Sequence, residues 1–128
     1  MLLSKIIRRN FASGQLLTWG ESTYGWGRPA NTNYFTPAPV DGFKKVQSVS
    51  TGQYHLGFIT NDNSVYTVGL NENGQLGQGS SSDSDIPRKI ALDSNTKVTS
   101  ISCGTNHSLA LTSDGAVYSW GFKQALGV

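Results

Sequence analysis

One cysteine, one methionine and few charges are the shortages that stand out in this 128-residue chain. The single thiol, Cys103, can close no internal disulfide, and neither a second cysteine nor an activating neighbour stands beside it to make a nucleophile. Within "VTSISCG" it reads as a buried small apolar residue. No run of about 18 apolar residues exists, which excludes a membrane-spanning helix on pattern. The glycine-rich "GLNENGQLGQG" lacks the "GK[ST]" of a phosphate-binding loop and precedes no helical pattern. No set of histidines, cysteines and carboxylates has metal-ligand spacing, so neither a metal nor a cofactor is expected. Acid is missing from the first eleven residues, which hold Lys5, Arg8 and Arg9; from residue 12 onward seven basic residues face eight acidic ones, a net charge of −1. A body with that balance has no bulk attraction for a phosphate backbone.

What the chain has in quantity is glycine, 15 residues of it, and short stretches in which Val, Ile, Leu and Tyr alternate with Ser and Thr. That is the composition of short strands and tight turns. It also says one thing twice. "GQYHLGFITNDNSVYTVG" at 52–69 and "GTNHSLALTSDGAVYSWG" at 104–121 align without a gap, placing Gly52 with Gly104, His55 with His107 and Gly69 with Gly121. Trp19-Gly20 comes 49 residues before Val68-Gly69, which comes 52 before Trp120-Gly121. Two blade units are read from this, 36–69 and 86–121. Each holds a proline-bearing edge segment followed by three strands, with hairpin turns at Asp62-Asn63 and Asp114-Gly115, residues that tolerate a positive φ. Four antiparallel strands at a spacing near fifty residues is the pattern of a propeller blade. The turn-rich connectors after Gly20, Gly69 and Gly121 are expected to run from one blade to the next.

Residues 1–14, "MLLSKIIRRNFASG", interleave apolar and cationic residues. A helix through them would be amphipathic, as mitochondrial transit peptides are, and "RNFAS" matches the processing pattern with cleavage between Phe11 and Ala12. The alternative is an amphipathic arm that docks on a partner. The mitochondrion is the expected location.

The ordered motifs "V-Y-x-[VW]-G", "N-E-N-G-Q-L-G-Q-G", a proline before a short strand, and "S-x-G-x-x-H-x-x-x-[LI]-T-x-[DN]-[GN]" closely resemble the repeat of the regulator of chromosome condensation family, whose members form seven-bladed β-propellers. The resemblance covers residues 15–128. It implies an all-β fold, here a partial β-propeller of about two four-stranded antiparallel blades plus a lone N-terminal strand, "QLLTWG". A closed ring at this period needs on the order of 350 residues. The expectation is therefore either the start of a longer chain or a short subunit whose open sheet edges are covered by protein neighbours.

Chemistry is sparse in this reading. His55 and His107 occupy one repeat position, which argues for a shared structural task such as hydrogen bonding to backbone between strands rather than for catalysis. Gly20, Gly52, Gly69, Gly104 and Gly121 are read as structural repeat positions in the same way. Ser80–Asp85 is read as a solvated loop. Trp26, flanked by Tyr24 and Arg28 in "ESTYGWGRP", is the candidate contact anchor, with packing between blades as its alternative. No enzyme is expected. The favoured function is an interaction or scaffolding subunit of a large mitochondrial assembly, the mitochondrial ribosome or a respiratory complex, with nucleic acid met only indirectly in a ribosome. The resemblance implies a second possibility, part of a guanine-nucleotide exchange factor for a small GTPase, for which no exchange-specific residue is matched.

Overall fold

The computed structural model describes residues 3–10, 13–21, 23, 24, 26–29, 33–43 and 45–127, with side chains from residue 14 onward. Ten strands follow one another: β1 (Leu3–Asn10), β2 (Ser13–Gly20), β3 (Tyr34–Pro39), β4 (Val46–Thr51), β5 (His55–Thr60), β6 (Val65–Gly69), β7 (Ser84–Lys89), β8 (Val98–Cys103), β9 (His107–Thr112) and β10 (Val117–Gly121). A 3₁₀ turn at Lys123–Ala125 is the one helical element described. The strands make three antiparallel sheets, ordered β1-β2-β3, β4-β5-β6-β7 and β10-β9-β8, so the fold is the all-β partial propeller expected.

The hairpin turns form as their residues dictate. Asn63 adopts φ 62° and Gly115 φ 88°, each donating its N–H to the carbonyl of Thr60 or Thr112 at 2.9 and 3.0 Å. The preceding aspartates brace the turns. Asp62 accepts from the Thr60 hydroxyl at 2.5 Å and the Ser64 N–H at 3.2 Å, and Asp114 accepts from Thr112 and Ala116 in the same way. These hydrogen bonds favour the ionised form and hold both carboxyls below the usual carboxylate range.

Alternation along the strands sends successive side chains to opposite faces, and in the middle sheet both faces are covered. Leu56, Phe58 and Val68 pack with Leu16, Trp26, Val40 and Val46 against the first sheet. Ile59 and Val65 pack with Ile90, Val98, Ile101 and Ala110 against the last. Phe58 stacks on Tyr66 at 5.3 Å, and Phe43 meets both rings edge-on.

Three expectations are corrected here. The strand "QLLTWG" is not alone: as β2 it lies between β1 and β3. Residues 3–10 are extended, not helical, and pair with β2 from Leu3↔Trp19 to Asn10↔Ser13; the expected cleavage site between Phe11 and Ala12 lies outside the described residues. The sheets also do not coincide with units 36–69 and 86–121. The proline-bearing strands β3 and β7 are edge strands as read, but they pair backwards, with β2 and β6, so the middle sheet spans 46–89. The reason lies in the connectors. The glycine-rich stretch after Gly69 folds back onto its own sheet, while short crossings that begin at Val40 and Ile90 lead to the next one. Val40 and Ile90, at the start of those crossings, still donate to Leu16 and Val65 of the sheet being left, both at 2.9 Å.

Candidate functional site

The junction between the middle and last sheets is built from repeat residues. Gly52 and Gly104 each donate their N–H to the carbonyl of the histidine three residues on, at 2.7 and 2.9 Å. A Cβ on Gly52 would lie 2.2 Å from the Gly104 carbonyl oxygen of the next sheet and 2.5 Å from the His55 ring, so only glycine permits this approach. Gly20, Gly69 and Gly121 instead share a backbone conformation, φ 104°, 119° and 108°.

His55 is fully buried, and its ring meets the Ser108 hydroxyl of the neighbouring sheet as well as the His107 backbone. Ser108 Oγ donates to the Gln75 carbonyl at 2.8 Å, which leaves it to accept from His55 Nε2–H at 2.8 Å. The Trp120 indole donates to the same Gln75 carbonyl at 2.8 Å, and the Cys103 N–H donates to Ser50 Oγ at 2.9 Å. Burial is the main cause of a His55 pKa near 4, with the His107 ring adding to it and the His107 backbone opposing it. With Nε2 committed to Ser108, the neutral imidazole joins the two sheets. Cys103 is half-buried against the Ile59/Ile101 cluster, and burial pushes its thiol up to about 11, so the thiolate a nucleophile needs is scarce. Among the described residues, no three His, Cys, Asp or Glu side chains gather as a metal site, and no helix is long and apolar enough to cross a membrane.

The candidate anchor divides. Trp26 is 3% exposed, packed between the first two sheets, with φ 47° and its indole donating to the Glu21 carbonyl at 2.5 Å. It is a core residue, which answers in favour of packing between blades. Arg28 is also turned inward. Its guanidinium donates to the Thr18 carbonyl at 2.5 Å and lies 3.7 Å over the Tyr34 ring. Tyr24 keeps surface beside Tyr54, its ring 5.5 Å away, and partial burial with the Asp83 and Glu72 carboxylates raises its phenol.

Sequence reasoning missed the residues that order the second connector. Asn71 is buried, donates through Nδ2 to the carbonyls of Ser80 and Ser82 and accepts from the Leu76 N–H, all at 2.9 Å. Asp83 accepts from the Asn71 N–H, and Ser84 is buried in β7, so the stretch Ser80–Asp85 is tied into the fold and is not merely solvated. The other connectors do not repeat this motif, so no periodic signal marked it.

The last sheet differs from the middle one in what it leaves uncovered. Leu111, Val117 and Tyr118 are 42%, 66% and 45% exposed, whereas Ile59 and Val65, at the positions of Leu111 and Val117, are buried and Tyr66 is half-buried.

The Regulator of chromosome condensation (RCC1) repeat matches residues 13–59 and 62–111, and a second description of that repeat matches 46–75. The Ultraviolet-B receptor UVR8 of Arabidopsis thaliana is 31% identical over 111 residues, 84% of this chain and 25% of that protein. Human E3 ubiquitin-protein ligase HERC2 is 38% identical over 101 residues, 77% of this chain and 2% of its own length. Among solved structures, Prp20p from Saccharomyces cerevisiae, described with its binding to Gsp1p and histones, superposes with a TM-score of 0.73 at 31% identity, over 84% of this chain and 26% of Prp20p. Human WBSCR16 gives 0.71 at 26% identity, over 92% of this chain and 34% of WBSCR16. The chain thus spans about a quarter or less of the curated relatives named here.

Proposed function

Since the chain belongs to the Regulator of chromosome condensation (RCC1) repeat family, we propose that it is a non-catalytic propeller segment that works by protein contact, as a scaffolding part of a large mitochondrial assembly such as the mitochondrial ribosome or a respiratory complex. The observation that carries this reading is the repeat itself, which matches residues 13–59 and 62–111 and folds as packed antiparallel sheets whose buried polar side chains are spent on the sheet junctions. The ionisable groups buried in the sheet junctions support the non-catalytic part, since His55 and Cys103 are both held neutral. The acid-free start with Lys5, Arg8 and Arg9 supports the mitochondrial address.

The test is the intact mass of the native protein, together with what co-purifies from mitochondria after mild cross-linking. Recovery within a large assembly upholds the reading. A protein found outside mitochondria, or always free of partners, overturns it.

A second reading is favoured by the 31% identity to Prp20p over most of this chain: one part of an exchange factor for a small GTPase. It predicts nucleotide release from a co-purifying GTPase when the protein is added at stoichiometric amounts, and an unchanged release rate removes it.

A further inference from the structure

Two clefts open at the hairpin ends of the middle and last sheets, and they are built alike. Every residue lining the first stands 52 residues before one lining the second. Lys45, Thr60, Asp62 and Tyr66 of the first recur as Lys97, Thr112, Asp114 and Tyr118. Among the described residues, neither the outer strand β7 nor the last sheet lines the first cleft. The second is likewise bounded by residues 93–97 and by the β9–β10 hairpin. Its walls are fixed by backbone bonds. Thr96 donates its N–H to the Asp93 carbonyl and Ser113 to the Lys97 carbonyl, both at 2.9 Å.

The clefts differ in what covers the tyrosine. Tyr66 has Phe58 stacked on it at 5.3 Å and Phe43 edge-on at 4.9 Å, and it is half-buried. At the matching positions of the next repeat stand Ala110 and Asn95. Neither can supply a ring, and Tyr118 is 45% exposed. In place of phenyl groups the second cleft, of about 460 Å³, gathers Asp93, Ser94, Asn95 and Lys97 on one wall and Asp114 on the other. Asp114 spends Oδ1 on the Thr112 hydroxyl and the Ala116 N–H, and a carboxylate has a second oxygen to offer.

We propose that this cleft binds an uncharged pyranose sugar, its ring lying on Tyr118 where Phe58 and Phe43 lie on Tyr66. The negative face of a tyrosine ring attracts the C–H groups of a sugar's apolar face, as it attracts the edge of another ring. Sugar hydroxyls both donate and accept, which suits a wall of carboxylates, carboxamide, hydroxyl and ammonium. Asp93 and Asp114 accept, Lys97 donates, and Asn95 does both. Two carboxylates against one ammonium disfavour phosphates and other anions. A wholly apolar ring would strip those polar groups of water and leave them unpaired. Walls that are already held cost little to order when a ligand arrives. The site goes beyond the protein-contact reading and does not depend on it.

The test is amide NMR of the full 128-residue protein, titrated with glucose, galactose, mannose and N-acetylglucosamine. At least one sugar should bind saturably and shift amides at 93–97 and 112–118. Tyr118→Ala should weaken that binding at least about tenfold, equivalent to about 1.4 kcal/mol. Asn95→Phe supplies a ring at the position of Phe43 and should abolish binding, while its amide spectrum shows the fold retained. Lys97→Ala should weaken binding, whereas Lys45→Ala, at the matching position of the first cleft, should leave it unchanged. Methyl glycosides separate the two sources of such a ring: equal binding marks the end of a glycan, and binding of the free sugar alone marks a metabolite. The proposal is overturned if no sugar binds, if the shifts centre elsewhere, or if either Tyr118→Ala or Asn95→Phe binds like the native protein. It is overturned equally if p-cresol binds at Tyr118 and no sugar does, which would make the cleft a slot for a partner's aromatic side chain.

Discussion

Lowering the pH from 7 to 4 should weaken the fold chiefly through His55. In the unfolded chain its imidazole takes up a proton near 6.5, but burial in the sheet junction lowers the folded value to about 4. Between those values the unfolded state holds a proton that the native state lacks, so stability rises with pH in that window and is lost as pH falls through it. The contribution is fully present above 6.5 and gone below about 4. A gap of about 2.5 pH units, at about 1.4 kcal/mol each, makes the loss on the order of 3 kcal/mol. Against a total of roughly 5–15 kcal/mol for an ordinary domain, that decides whether the fold survives mild acid. The two braced aspartates do not confuse the measurement. Their folded values lie below the ordinary 3.8, so their contributions are kept above 3.8 and lost at lower pH still. The assay is urea unfolding followed by tryptophan fluorescence at half-unit steps from pH 4 to 7, for the native protein and for His55→Gln, which keeps a neutral donor able to reach Ser108. The native protein should show the slope and the variant should lose most of it. A flat profile for the native protein, or equal slopes for the two, would refute the account of His55 as a buried neutral joint.

Replacing Gly52 by alanine should destabilise more than replacing Gly104, because the new methyl meets the fixed Gly104 carbonyl of the next sheet in the first case and the half-buried His107 ring in the second; urea midpoints of the two variants give the order, and the reverse order would count against the junction geometry. Ser108→Ala takes the acceptor from a buried imidazole N–H and a donor from the Gln75 carbonyl, and should cost about 1–3 kcal/mol by the same assay. Trp26→Ala should cost about 3–5 kcal/mol as a cavity between the first two sheets. If Trp26 were instead a surface anchor, unfolding would be unchanged and partner recovery alone would fall.

What could be seen in the sequence was what local chemistry controls. The turns at Asp62-Asn63 and Asp114-Gly115 need residues that accept a positive φ, and the repeat exposed them together with the glycines that kink the chain after β2, β6 and β10. The grouping of strands was hidden because it depends on which strand the proline segment meets after a connector of variable length. Pro37 and Pro87 declare an edge but not whose edge. His55 was found by its period, yet its partner was not, since Ser108 lies 53 residues away and its counterpart in the preceding repeat is Leu56, which cannot hydrogen-bond. Trp26 stood between contact and packing because it sits in a loop-like stretch, and the packing that decides the question comes from Leu16, Val40 and Val68, which lie outside that stretch. In residues 3–10 apolar and basic residues fit a helix face and an extended strand about equally well over so short a length, and pairing with β2 decides between them.

The sheet junction holds the last sheet to the middle one at two points. The Gln75 carbonyl accepts from the Trp120 indole of β10 and from the Ser108 hydroxyl of β9, which accepts in turn from His55. At the inner strands the Cys103 N–H adds a second tie to Ser50. Two donors on one carbonyl act as a unit, so Trp120→Phe and Ser108→Ala should not add when combined. Urea unfolding of the two single variants and the double gives the coupling, and strict additivity would show the two ties to be independent.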